Sequence, residues 1–336
     1  MGGKDKGMAG SFGSTFVAHM TVSRYRDGEW SPARLSPLGA LELHPAAHGL
    51  HYGSTCFEGL KAYRRDDGSV HIFRLDRHIE RMRNSARLLC LPVPDPRLLE
   101  DIVCRLVEAS RAEVPHEPSS LYLRPVLAGD EPNIGGATSP AGEALLYAIA
   151  SPVGDYFDSG ERPLSLLVED CRRTAPEFGQ VKTGGNYASA LRRVLAAKRD
   201  FGADQVLFCP GGDVQETGAA NFLLIRDGAI LTKPLDGSIL PGVTRDSVLR
   251  LADAAGYRIE ERNFSVEEML DWIVDGEAAL SGTAVVLAGV GSLVYGGAAY
   301  PASGGAIGPH TRKLREQLNA IRTGRAPDPS GWLKCI

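Results

Sequence analysis

Lys182 opens the run Lys182-Thr-Gly-Gly-Asn-Tyr187. Two glycines after a lysine let the chain turn tightly and approach a neighbour closely. A lysine in a surface salt bridge needs no such setting. A Schiff-base lysine does, because its amine must be partly desolvated and held against a bulky ring. The same segment is also what a plain turn is made of, and taken alone it leaves both readings open. Farther along, Gln215-Glu216-Thr-Gly-Ala-Ala-Asn221 sets a carboxylate just before a small-residue stretch. A buried glutamate requires a partner. A protonated ring nitrogen would supply one; a solvated loop glutamate is the alternative.

Three further elements suit an anion. Gly242-Val243-Thr244-Arg245 opens a helix, with Thr244 as the expected N-cap, so free N–H groups and the helix dipole favour negative charge there. Ser281-Gly282-Thr283-Ala284 offers hydroxyls and backbone N–H groups in a turn of small residues. Arg81 could add a cation from an amphipathic helix. Each is commonplace alone: helix starts are everywhere, and most helix arginines are solvated.

The elements that must position these groups alternate along the chain. Ile79, Met82, Ala86 and Leu89 recur at helical spacing within 76–89, and 98–112 reads as a second helix ending before Pro115. Strands are expected at 70–73, 121–127, 144–151, 164–168, 205–209 and 221–225. Tyr187–Phe201 reads as a helix closed by Gly202, and Asp227-Gly228 as a hairpin turn. Ser265 and Glu268 have capping-box spacing, and 310–322 reads as a terminal helix. Hairpins mixed with segregated helices imply an α+β protein rather than a doubly wound parallel sheet. The expected organisation is a disordered tail (1–11), an N-terminal α+β domain (12–154), a polar interdomain linker (155–163) and a C-terminal domain bearing the lysine (164–336).

The chain has 336 residues and a formal net charge of -4. That length supports a core without staples, and the mild acidity argues against a nucleic-acid footprint. The six cysteines show no CxxC spacing and read as reduced thiols. Without a signal-like or membrane-spanning segment, the cytoplasm is the expected compartment and no membrane partner is expected. His44, His48 and His51 could be read as zinc ligands, but Pro45 and Gly49 should break their helix and no acidic or cysteine partner lies nearby, so no metal is expected.

Taken in order, LHYGSTCFEGLKAYR (50–64), FRLDRHIERMRNSARLLCLP (73–92), SLYLRPVLAGDEPNIG (120–135), SPVGDYF (151–157), KTGGNY (182–187), QETGAANFLL (215–224), LPGVTRDSVL (240–249) and SGTA (281–284) carry a resemblance. The sequence resembles the fold-type-IV aminotransferases, a D-amino-acid-aminotransferase-like fold of two domains with mixed and antiparallel sheets, and within them the branched-chain aminotransferases. The LCLP and the EP run look closest to the branch shared with animal enzymes.

The resemblance implies pyridoxal 5'-phosphate as cofactor, with Lys182 as the catalytic Schiff-base residue, Glu216 on the ring nitrogen and Tyr187 on the phenolic oxygen. Arg81, Val243, Thr244 and Thr283 would hold the phosphate. Phe12, Tyr52, Phe57, Tyr122 and Tyr156 would form an apolar substrate box, Arg124 would meet the side-chain carboxylate of glutamate, and Thr283 with Ala284 would take the α-carboxylate. The implied reaction moves the amino group of Leu, Ile or Val to 2-oxoglutarate. The implied assembly is a homodimer in which the loop 129–136 reaches the partner's site.

Animal members carry a CxxC pair where this chain has Val285 and Ala288, so no such thiol switch operates here. Gly136 replaces a larger apolar residue in the loop, and Gly53-Ser54-Thr55 also departs from the animal pattern, which bears on the preferred amino acid. D-amino-acid aminotransferases, aminodeoxychorismate lyases and aminotransferases of specialised metabolism share the lysine and glutamate. A non-catalytic binding protein on this fold would be expected to lose Lys182 or Glu216.

Overall fold

The computed structural model describes residues 12–154 and 162–336. The nine-stranded first sheet runs Leu333–Cys335, Val70–Phe73, Leu60–Arg64, Ser120–Gly129, Ala144–Val153, His19–Arg26 and Glu29–Trp30, with Arg34–Pro37 and Thr55–Phe57 paired off this path. Every pairing in it is antiparallel. The eight-stranded second sheet runs Gln205–Phe208, Leu164–Glu169, Val286–Tyr295, Glu277–Gly282, Asn221–Arg226, Ala229–Thr232 and Arg258–Glu261, with Ala298–Pro301 alongside Val286–Tyr295. This one is mixed, with parallel joins at Gln205–Phe208/Leu164–Glu169, Leu164–Glu169/Val286–Tyr295 and Ala229–Thr232/Arg258–Glu261. The α+β expectation holds. The last strand, Leu333–Cys335, returns from the second half to edge the first sheet.

Two faces position polar side chains. Along Ser120–Gly129 burial alternates, with Leu121, Leu123 and Leu127 in the core and Tyr122 and Arg124 less buried on the opposite face. A strand has a side-chain period of two, so Tyr122 and Arg124 necessarily share that face. On the helix Leu75–Leu88 the buried stripe is Leu75, His78, Arg81, Met82, Ser85 and Ala86. Three of these are polar, and a polar side chain on a buried stripe must find a partner. A core cluster of Tyr63, Phe73, Leu223, Val248, Leu314 and Trp332, among others, joins the two sheets through the helices Val243–Ala254 and Pro309–Thr323.

Most local signals hold. Asp227 and Gly228 both have positive φ (50° and 70°), as a two-residue hairpin turn demands. Ser265 accepts the Glu268 N–H, and Gly202 closes its helix at φ 65°. Other expectations need correction. Thr244 is not an N-cap: Gly242 occupies that position against Asn221, so Thr244 is the second residue of Val243–Ala254. The helix expected at 98–112 runs Pro96–Ala109: it starts earlier because the Asp95 carboxylate accepts the Arg97 N–H, and a 3-10 turn follows at Arg111–Glu113. Gly49 does not break its segment but lies inside the short helix His48–Tyr52, where it packs close to Gly129. Most of the linker expected at 155–163 lies outside the described residues, as does the tail 1–11.

Candidate active site

Side chains from both sheets line a cleft of about 430 Å³. Lys182 sits in it at the seam. Its carbonyl accepts the Phe57 N–H (3.0 Å) and its own N–H donates to Ser85 Oγ (3.0 Å), so the first half of the chain holds its backbone on both sides. The amine donates to Tyr187 Oη at 2.9 Å and lies 5.1 Å from the centre of the Phe57 ring. Tyr187 is on the first turn of Gly184–Phe201, which starts three residues before the expected position, and its ring packs 5.3 Å from Phe57. Burial alone would push its phenol up. The Lys182 charge and hydrogen bond, helped by Arg81, outweigh that and hold Tyr187 below the ordinary tyrosine value.

Glu216 is buried, which removes the solvated-loop alternative. Its Oε1 accepts from Arg173 (2.5 Å) and the Leu240 N–H (3.0 Å), and its Oε2 from Asn221 Nδ2 (2.8 Å). Burial raises the carboxyl above the ordinary value, against the pull of Arg173, Leu240 N–H and Lys182. A carboxylate so placed is fixed in direction and ready for a cationic N–H.

Three sources give one end of the cleft the donors that an anion would need. The helix Val243–Ala254 begins there, and no side chain caps it. Its first N–H groups therefore lack intrahelical partners and carry the positive end of the dipole. Arg81 reaches the same place and donates to the Pro241 carbonyl at 3.0 Å. From Ser281-Gly282-Thr283-Ala284, all four residues line the cleft, and Ser281 Oγ is buried without a hydrogen-bond partner.

On the opposite side Phe12 meets Tyr122 edge to face (5.1 Å), and Tyr122 Oη accepts from Arg124 (2.9 Å). The Arg124 guanidinium lies 4.5 Å over the Phe57 ring, and its Nε is buried without a partner. Gly59 makes room for this group: a Cβ there would fall 2.9 Å from Tyr122 Cζ and closer still to the hydroxyl.

Of the residues expected at the site, Arg81, Lys182, Tyr187, Glu216, Val243, Thr244, Thr283, Ala284, Phe12, Phe57, Tyr122 and Arg124 line this one cleft. Tyr52 does not. It is partly exposed, and its hydroxyl donates to the Ile134 carbonyl in the loop 129–136. Tyr156 lies outside the described residues. Arg173, which also lines the cleft, carries no sequence signal. Glu58, Ser85 and Asn221 stand inside recognisable motifs that assign them no role. Among the described residues no group of three or more His, Cys, Asp or Glu is gathered as a metal site; His48 instead bonds Ser54 Oγ (2.7 Å) and the Gly136 carbonyl (3.0 Å). No helix among them is long and apolar enough to cross a membrane.

An amine beside a phenol, a buried carboxylate and an uncapped helix start beside an arginine are the groups that a phosphorylated aromatic ring held against a lysine would need. The donors fit pyridoxal phosphate: the unpartnered Ser281 hydroxyl and the free helix N–H groups are donors from which a phosphate can accept. Residues 55–293 match the family model described as amino-transferase class IV. A probable branched-chain-amino-acid aminotransferase of Streptomyces coelicolor is 39% identical, over 97% of this chain and 92% of that one. The branched-chain-amino-acid aminotransferase 2 of Bacillus subtilis is 36% identical, over 96% and 91%. The crystal structure of a T.th. branched-chain amino acid aminotransferase with pyridoxamine 5'-phosphate superposes with a TM-score of 0.79 at 28% identity, covering 94% of this chain and 97% of that one. The same enzyme complexed with N-(5'-phosphopyridoxyl)-L-glutamate gives 0.78 at 27%, with 94% and 97% covered. The chain belongs to the class IV aminotransferases.

Proposed function

We propose that this protein is a pyridoxal-phosphate-dependent branched-chain aminotransferase, moving the amino group of L-Leu, L-Ile or L-Val to 2-oxoglutarate to give branched 2-oxo acids and L-glutamate. The observation that carries the reading is one cleft in which Lys182 faces Tyr187 while an aromatic wall stands beside Arg124. Bound pyridoxal phosphate supplies a reactive carbonyl and an electron sink. The rest is done by the chain. The Lys182 amine carries the proton to and from the substrate Cα. Glu216, held by three donors, keeps a proton on the ring nitrogen, and Tyr187 fixes the ring's phenolic edge. Arg81, the Val243–Thr244 helix start and Thr283 bind the phosphate, and the turn at Thr283–Ala284 takes the α-carboxylate. Phe12, Phe57 and Tyr122 face a branched side chain, whereas Arg124 has an unspent N–H for the second carboxylate of glutamate. One pocket thereby serves both substrates.

The homodimer belongs to the same reading. Ile134 and Leu50 are strongly exposed, and the Tyr52–Ile134 hydrogen bond joins Tyr52 to the loop 129–136. The loop would bring Tyr52 into the partner's cleft, and Tyr156 would close the box. Ile134→Glu would lower dimer content in sedimentation. The LCLP and EP runs support placing the chain in the branch shared with animal enzymes, and reduced, scattered cysteines support a cytoplasmic site. The two sheets, with the last strand crossing over, support a division into 12–154 and 164–336. The deciding experiment is a spectral titration with a panel of L- and D-amino acids beside Lys182→Ala. Turnover is expected with L-Leu, L-Ile, L-Val and L-Glu, and none in the variant. Wild-type protein inert to all four, or preferring D-amino acids, refutes the assignment.

A further inference from the structure

Glu58 is a charged side chain with no access to solvent and no place in the reaction. Its Oε1 accepts from Arg81 Nε (2.7 Å) and its Oε2 from Arg81 Nη2 (2.8 Å), a two-point grip on one edge of the guanidinium. His78 Nδ1 meets the same Oε2 at 2.7 Å from the next turn of the helix. Burial alone would raise the Glu58 carboxyl; Arg81 and His78 hold it far below the usual carboxylate range. Burial lowers His78, against the pull of Glu58. An ionised carboxylate only accepts, so His78 Nδ1 is the donor.

The donor count of the guanidinium gives this arrangement its meaning. Arginine has five N–H groups in a rigid plane. Two go to Glu58 and one to the Pro241 carbonyl. Two remain, one on each terminal nitrogen, and Arg81 lines the cleft beside Gly242, Val243 and Thr244. A buried ion pair is weak grounds for stability, because an apolar pair of similar volume often serves the fold as well. It does fix a direction that apolar packing cannot.

We propose that Glu58, backed by His78, is a positioning residue for the phosphate end of the cofactor: it clamps Arg81 along one edge so that the two remaining N–H groups face the phosphate. The inference rests on the pyridoxal-phosphate reading of the site. It has a consequence opposite in sign to simple charge attraction. Removing the Glu58 charge makes the phosphate end more positive, which by charge alone tightens a dianion. With the clamp gone the N–H groups lose their aim, and binding weakens.

The test compares two probes, pyridoxal phosphate and unphosphorylated pyridoxal, by the shift of their visible absorbance on titration into protein freed of cofactor. In Glu58→Gln the dissociation constant for pyridoxal phosphate rises roughly tenfold or more, the scale of one misdirected charged hydrogen bond. That for pyridoxal stays at the wild-type value. Unchanged or tighter pyridoxal phosphate binding overturns the proposal, and so does an equal loss for both probes, which marks a merely structural role. Should Glu58→Gln fail to fold, His78→Phe keeps an aromatic ring at the position and removes the hydrogen bond to Glu58. It then weakens pyridoxal phosphate selectively by a smaller factor, and full retention of pyridoxal phosphate affinity overturns the proposal. Failure of the underlying reading is separately visible, since the wild-type protein would then bind neither probe.

Discussion

Replacing Arg173 with methionine isolates what the Arg173–Glu216 pair does. The two side chains meet at 2.5 Å, both almost wholly out of solvent. In Arg173→Met, Glu216 keeps the Leu240 N–H and Asn221 Nδ2 but loses the cation it touches. Leaving one member of a buried pair charged costs roughly 3–5 kcal/mol. The carboxyl can escape that cost by taking a proton, and burial already raises it in the native protein. A carboxyl raised on folding contributes nothing below its unfolded pKa and destabilises increasingly above it. The variant raises it further, so the stability gap to wild type should widen with pH. Near about pH 4 to 5 only the repacking remains, about 1.5 kcal/mol or less. Above the native protein's own raised value, each further unit of pH adds up to about 1.4 kcal/mol until the variant's carboxyl ionises or the gap reaches the buried-pair ceiling. Urea unfolding of the cofactor-free proteins at a series of pH values measures the gap directly. Added pyridoxal phosphate should narrow it, because a protonated ring nitrogen restores a positive partner. A gap that does not change with pH would show that Arg173 acts through packing and would refute the reasoning.

Other outcomes follow from single contacts. Gly59→Ala forces Tyr122 off its position and away from Arg124, so KM for glutamate should rise several-fold more than KM for leucine in steady-state assays; parallel rises would rule out the shared wall. Tyr187→Phe removes the 2.9 Å bond to the lysine and should lower kcat roughly tenfold. Tyr187 is held below the ordinary value, so the wild-type protein should show one tyrosinate appearing early in an ultraviolet pH titration, absent from the variant. Glu277→Ala should destabilise the fold by roughly 2–4 kcal/mol in urea, since its buried carboxylate accepts from the His310 N–H, the Thr311 N–H and the Thr311 hydroxyl at the start of the last helix.

Most of the site is legible in the sequence because its groups sit in short, chemically distinctive runs. Lys182, Tyr187, Glu216 and the helix start at Gly242 are local signals, and the fold brings them together. Arg173 is not legible: what makes it matter is a contact with Glu216, 43 positions away, and no periodicity records a long-range ion pair. Glu58 and Ser85 are readable as members of motifs, but their roles depend on the register between a strand end and a helix face. Thr244 misleads because a threonine before an apolar run is a good N-cap by type, whereas tight packing against Asn221 admits only Gly242 at the cap, two positions earlier. Tyr52 groups with the cleft aromatics by its motif, yet within one chain its hydroxyl is committed to Ile134.

The helix Leu75–Leu88 touches both ends of the chemistry from one face. In the proposed reaction Arg81 serves the phosphate end, and Ser85, four positions on, holds the Lys182 backbone. Four residues of α-helix rise about 6 Å, a length set by backbone geometry rather than by side-chain packing. The helix therefore works as a gauge block between the phosphate grip and the reactive amine. Drift elsewhere in the scaffold can carry the pair along together without changing their spacing, whereas a single residue inserted between 81 and 85 would rotate one of them off the face by about 100°.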